Sequence, residues 1–238
     1  MSMYGVPGVA LVQEGMGPIP PVPFQTPQNI FRFGEQTLWS TLFLPGGSII
    51  ANSTNRIFST PVGQVGQGFT AALSIAETNL KEGGRVPAGV AYDVFGLASE
   101  IVSANQATDV ANNVLCTLAT ASSSVALISD ALNIQHNGVL SWDFTQTTVD
   151  ICPVILAGAG GGLFGALAST LNNVNVGHMN NGNGHIWMYR KHPVALPGNS
   201  TFSIVVRFGS RAAAISASNG LSLRVTLLGY YKNVIEIG

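Results

Sequence analysis

From residue 36 onward, apolar and polar positions alternate with period two or gather in short β-branched blocks separated by turn residues, which is the pattern of half-buried strands. Residues 37–44 (TLWSTLFL) run into a Pro-Gly-Gly turn, and 48–51, 56–59 and 68–76 follow as short strands. Residues 90–102 mix Val, Tyr, Phe, Leu and Ile with only two acids and read as one long strand bent at Gly96, because an interior glycine marks a bulge or a close approach. Further strands are expected over 114–119, 125–128, 138–145 and 148–156, with a short helical turn compatible with 105–113. The strongest runs come last: 201–208, entered through Pro197-Gly198-Asn199, and 221–237, entered through Asn219-Gly220. Strands of this length and spacing predict an all-β, two-sheet sandwich.

The start of the chain breaks the pattern. Pro7, Pro18, Pro20, Pro21, Pro23 and Pro27 fix φ and remove amide donors, so PIPPVPFQTP is neither helix nor central strand. Residues 1–35 are therefore expected to form an extended arm, lying on a neighbouring subunit or free as a leader, and 36–238 a single domain. No repeat of fixed period is visible, which argues against a duplicated domain.

Composition changes what the surface must do. Only 9% of the 238 residues are charged, against roughly 25% in ordinary soluble domains, and the mean hydropathy is positive. A lone molecule of this kind would expose a poorly solvated exterior, so other copies of the chain or a membrane are expected to cover much of it. With 46% hydrophobic residues and a net charge of -1, the composition is the opposite of the disordered signature and a folded chain is expected. Residues 1–150 hold four Lys/Arg against ten Asp/Glu and residues 151–238 hold six against one, so the halves carry about -6 and +5 and would steer copies head to tail unless the fold intermingles them. The densest basic pair is Arg190-Lys191, too little to grip nucleic acid by its phosphates. Cys116 and Cys152 sit in apolar surroundings and are expected to be buried free thiols rather than a disulfide. The first residues lack a basic stretch and a continuous apolar run, so nothing marks the chain for secretion and a cytoplasmic setting is expected.

Candidate chemistry is sparse. Gly160-Gly161-Gly162-Leu163-Phe164-Gly165 matches G-x-G-x-x-G ahead of the helix-compatible 166–171. No Asp or Glu lies between Asp150 and Glu236 to hold a ribose, and no βαβ alternation surrounds the match, so no cofactor is expected. Residues 154–171 are free of charge and reach the lower limit of a membrane span, with GxxxG spacings suited to helix packing. Five glycines between 158 and 165 weaken a helix there, and a buried loop with a short helix is the expectation. His178, His185 and His192 recur every seven residues across an Asn/Gly loop that fixes no metal geometry, and His136 is isolated, so no metal site is expected. The acids Asp143 and Asp150, and Glu77 and Glu82, read as surface carboxylates rather than an acid/base pair. Asn52-Ser53-Thr54 and Asn199-Ser200-Thr201 match the glycosylation sequon but read as turns. Trp39, Trp142 and Trp187 read as core or interface anchors. With G-x-S-x-G also absent, no catalytic residue is assigned and an enzyme ranks last.

Two stretches resemble a known family. The Pro-containing lead-in at 193–197, the strand around Phe202 and the closing L-R-V-x-L-x-G (Leu223 to Gly229) resemble the last strands of viral jelly-roll capsid proteins. The order T-N-L (78–80), G-G-R-V-P-x-G (83–89) and Y-D-V-F-G-L (92–97) is similar to a loop-to-strand passage in capsid proteins of small tailless icosahedral bacteriophages. The resemblance implies a single eight-stranded viral jelly roll, with a compact double jelly roll as the alternative. It implies a major capsid protein assembled in the host cytoplasm into an icosahedral virion, with other copies of itself as principal partners, minor capsid proteins as further ones, and an internal lipid membrane in contact. Two other classes share features of the sequence. A jelly-roll carbohydrate-binding module or lectin would be secreted and show aromatics on one face, and an outer-membrane β-barrel would share the alternation and the Gly/Asn loops but not the proline arm.

Overall fold

Period-two alternation becomes two sheets packed face to face. The computed structural model describes residues 29–103, 122–144, 147–162, 165–168, 176–179, 186–189, 191–216 and 220–236. Its strands are β1 (Asn29–Leu44), β2 (Thr54–Ile57), β3 (Val90–Ser103), β4 (Gly138–Phe144), β5 (Thr147–Pro153), β6 (Gly158–Gly162), β7 (Gly165–Ala168), β8 (Val176–Met179), β9 (Trp187–Met188), β10 (Val194–Leu196), β11 (Phe202–Phe208) and β12 (Leu221–Glu236), with helix α1 (Ser122–Asn137) before β4. The first sheet runs β1-β12-β3-β10, with β9 and β6 sharing the β10 edge of β3, and the second runs β2-β11-β4-β5. The first strand thus pairs with the last, β2 with β11, β3 with β10 and β4 with β5, all antiparallel. β7 and β8 form a separate hairpin. Among the described residues neither sheet closes on itself.

The inward set follows the pleat. Leu38, Leu42 and Leu44 of β1, Leu221, Leu223, Val225 and Leu227 of β12, and Val94, Leu97 and Ile101 of β3 face Ile57, Leu140, Trp142, Phe202, Ile204, Val206 and Phe208 of the second sheet in one core. β3 is a single strand, and its ladder with β12 slips between Leu228 and Gly229, beside Gly96, as the interior glycine predicts. β11 and β12 occupy the two closing runs of the sequence, one in each sheet. β1 begins at Asn29, inside the stretch assigned to the arm, because its first residues pair with the end of β12 from Asn29 opposite Glu236 onward. Residues 1–27, 105–113 and 114–119, with their expected arm, turn and strand, lie outside the described residues.

Four expected elements are corrected. Residues 125–128 belong to α1, not to a strand: a four-residue apolar run does not distinguish the two periods. The helix buries Asp130, Ala131, Ile134 and Gln135, a stripe at helical spacing. It is held to the β11–β12 loop by side-chain to backbone bonds. The Asn133 amide donates to the Ala213 carbonyl (2.9 Å) and accepts from the Ala213 N–H (3.0 Å), while both Asp130 oxygens accept from Ser216. Helix gives way to β4 at Gly138, where an added Cβ would stand 2.7 Å from the Ile134 carbonyl oxygen. Asn133→Ala should lower stability by about 1–2 kcal/mol, the net worth of two such bonds, read as a lower denaturant midpoint at unchanged slope.

Residues 68–76 form no strand beyond an isolated bridge between Val65 and Ala72; they belong to the long β2–β3 connection. Polar bonds fasten that connection to the outward side and edge of β1: Trp39 N–H to Asn79 Oδ1 (2.9 Å), Trp39 indole N–H to the Ile75 carbonyl (3.0 Å) and Thr41 hydroxyl to the Glu77 carbonyl (2.8 Å). Residues 48–51 form a loop, because Gly47 and Asn52 take positive φ, and its backbone bonds the β11–β12 loop through Gly47 to Ile215 and Ile215 to Ser48. β5 ends at Pro153, and Val154–Ala157 is a 3-10 turn leading into β6.

Candidate interaction surface

The expected chemistry disperses. The glycine run lies in β6, which pairs in parallel with β3, and continues as β7. The described part is strand, where a dinucleotide site needs a strand-to-helix turn; of the loop with a short helix expected over 154–171, the 3-10 helix Val154–Ala157 is present, while 158–162 and 165–168 are strand and 169–171 lie outside the described residues. Leu163 and Phe164 lie outside the described residues. Among those residues no helix is long and apolar enough to cross a membrane, and no group of three or more His, Cys, Asp or Glu gathers. His136 is exposed at the end of α1, His192 is exposed before β10, His178 is in β8, and His185 lies outside the described residues.

Asp143 and Asp150 stand on neighbouring strands on the outward side of the second sheet, each paired with its own arginine. Arg56 Nη2 is 3.0 Å from Asp143, which also accepts from the Thr148 and Ser203 hydroxyls. Arg207 pairs with Asp150, which also accepts from Ser141. Arginine-paired carboxylates on an open sheet face make a poor acid/base pair. Glu77 accepts from the backbone and hydroxyl of Ser74, and Glu82 is exposed. Arg207–Asp150 and Arg224–Glu100 (2.8 Å) join the acidic half of the sequence to the basic half. Both sheets interleave strands of the two halves, so their opposed charges cancel locally instead of giving the molecule two poles.

Asn52 and Asn199 both adopt positive φ, as turn asparagines do. Asn199 also accepts a hydrogen bond from Arg85 (3.0 Å). Trp142 is buried, stacks on Phe144 with centroids 5.5 Å apart and donates to the Tyr189 hydroxyl (2.8 Å). Trp187 is half-buried and packs on the same core, and Trp39 ties β1 to the β2–β3 loop. Cys152 is a buried free thiol, and Cys116 lies outside the described residues.

Burial pushes the Cys152 thiol up to about 11. Burial, reinforced by Tyr231, raises Tyr92 to about 12. Tyr189 also rises to about 12 through burial, with the Trp142 bond opposing it and Cys152 adding to it. These groups are held protonated, the reverse of an activated nucleophile. Because their folded pKa values exceed the unfolded ones, the native state holds more protons above pH 9, and the stability they contribute below that is lost as pH rises to about 12. The denaturant midpoint should therefore fall between pH 9 and 12, and Tyr92→Phe should make the fall shallower.

What the outside presents instead is large apolar side chains on an ordered frame. Ile49 is 79% exposed at the tip of the loop pinned by Ile215, Ile75 is 62% exposed on the β2–β3 connection, and Leu156 is 52% exposed on the 3-10 turn. Val65, Val149, Ile186, Met188 and Tyr230 are exposed as well. Composition implies a covered exterior without locating it. The available signal was in β12, where Leu228 and Tyr230 occupy outward positions that alternation would leave polar. Comparison with protein-family models, curated proteins and solved structures gives no match.

Proposed function

We propose that the chain is a structural coat subunit, a single viral jelly roll whose work is self-assembly into an icosahedral shell. The observation that carries this reading is the set of exposed large apolar side chains on a chain with 9% charge. Ile49, Ile75 and Leu156 belong to three separate connections, so contacts with neighbours would form on several sides of the subunit, as a lattice needs. The jelly-roll assignment is supported by the pairing order: of eight principal strands, first pairs with eighth, second with seventh, third with sixth and fourth with fifth, two Greek keys wound together. One pair of four-stranded paths favours the single roll over the double one. The resemblance of 78–97 and 193–229 to phage capsid strands points the same way.

Association would be driven by apolar burial at about 25 cal/mol per Å², less the cost of ordering the partners, with few charges to mispair. The principal partner is another copy of the chain, with minor capsid proteins and an internal membrane as secondary ones, in a virion assembled in the host cytoplasm. Such an assembly should resist salt, because screening weakens ionic contacts and leaves apolar ones intact. Light scattering of the purified chain should therefore hold steady or rise between 50 mM and 1 M NaCl. Dissociation over that range would contradict the reading.

A further inference from the structure

The outward face of β3 and β12 carries an apolar platform that the coat reading leaves without an occupant. The bulge puts Phe95 next to Gly96 on this face, and Phe95 packs on Tyr230 with centroids 5.1 Å apart and planes tilted by 41°. Ile186, Met188 and Leu228 converge over Gly96: a Cβ added there would stand 3.1, 3.1 and 3.2 Å from them. Tyr230 is 49% and Met188 47% exposed. Glu35 and Asp93 flank the aromatic pair, since both are register partners of Tyr230 and both are exposed.

We propose that this platform binds the proline-rich segment 18–27 of a neighbouring copy, an inference that rests on the self-assembly reading and gives it a specific contact. Three features of the sequence fit the segment to the platform. Residues 15–28 carry no charge, so covering the apolar surface with them buries no unpaired ion. Pro18/Pro21 and Pro20/Pro23 repeat the P-x-x-P spacing of polyproline II ligands, which dock on exposed aromatics and lose little entropy because they are already extended. A polyproline II chain has no internal hydrogen bonds, so the amides of Ile19 and Val22 are donors that the carboxylates of Glu35 and Asp93 can accept.

The position of Asn29 selects a neighbour over the same molecule. Asn29 pairs with Glu236, six residues beyond Tyr230 along β12, about 20 Å at roughly 3.3 Å per residue. β1 enters the sheet there running toward the platform, so an arm docking on its own subunit's platform would need a reversal immediately before Asn29. Extended at about 3.1 Å per residue, residues 18–28 can span roughly 34 Å to an adjacent subunit.

The test uses full-length chains. One carries Pro23→Cys and the other Met188→Cys, mixed under assembly conditions and mildly oxidised, with each single variant alone as background for the natural cysteines. An interchain disulfide specific to the mixture is expected. Its yield should fall at least fivefold when Tyr230→Ala is added to the Met188→Cys chain, and likewise when a synthetic peptide of residues 15–27 competes for the unaltered aromatic pair. No product above background, a product indifferent to both Tyr230→Ala and the peptide, or an intrachain link in a diluted Pro23→Cys/Met188→Cys chain would overturn the proposal. Electron microscopy of the same mixture separates the two readings. Shells without the link retain the coat function and remove this contact, and the link without shells does the reverse.

Discussion

Leu227→Asp is expected to yield no folded protein. Leu227 is 1% exposed, and its register partners on either side, Leu38 in β1 and Leu97 in β3, are buried too. Removing the leucine alone would cost about 2–5 kcal/mol. Placing a carboxylate there without a cation or donor adds several kcal/mol more, even after it takes up a proton. The sum reaches the whole stability of a typical domain, about 5–15 kcal/mol. Phe202→Asp should do the same from the second sheet, where Phe202 packs against Phe58 and Trp142. Thr226→Asp, one residue away on the outward face, is the control and should fold. Circular dichroism and limited proteolysis read the outcome, and a cooperative wild-type melt for Leu227→Asp would mean that β12 faces the other way.

Ile49→Asp and Leu156→Asp should have the opposite profile, leaving the fold intact and preventing assembly. Each replaces a side chain that is more than half exposed within the subunit, and exposed substitutions usually stay within about 0.5 kcal/mol. In a shell the same carboxylate would be buried without a partner at every repeated contact, so a cost of even about 1–3 kcal/mol per site multiplies over the particle. Melting temperatures should match wild type while particle yield falls at least tenfold in one or both variants. Wild-type particle yield in both would show that neither residue lies between copies.

The parts of the fold legible in the sequence are those where a single periodicity persists. β3, β11 and β12 are long enough for alternation to decide, and Gly96 announces the bulge. The misread segments are short or bound by contacts that sequence spacing does not carry. Four apolar residues at 125–128 fit a strand as well as a helix until Asp130, Asn133 and their loop partners fix α1. Residues 68–76 look extended, yet the hydrogen bonds of Asn79, Trp39 and Thr41 hold their loop against β1. Over 154–171 the glycine content disfavours helix without saying that β3 has an edge for β6 to pair with. Individual side chains also kept their expected roles where local geometry sets them, as at Asn52, Asn199 and Cys152. The outward platform could not be read, because Phe95 and Tyr230 meet only through the β3–β12 register and its slip.

The central claim is that copies of this chain cover one another's exposed apolar surface. Electron microscopy of the purified full-length chain at micromolar concentration, with sedimentation velocity on the same sample, tests it most directly. Closed particles of icosahedral symmetry, with Ile49 or Leu156 at contacts between subunits, are the predicted result. A monodisperse monomer that persists across salt and concentration, its apolar side chains open to water, would contradict it.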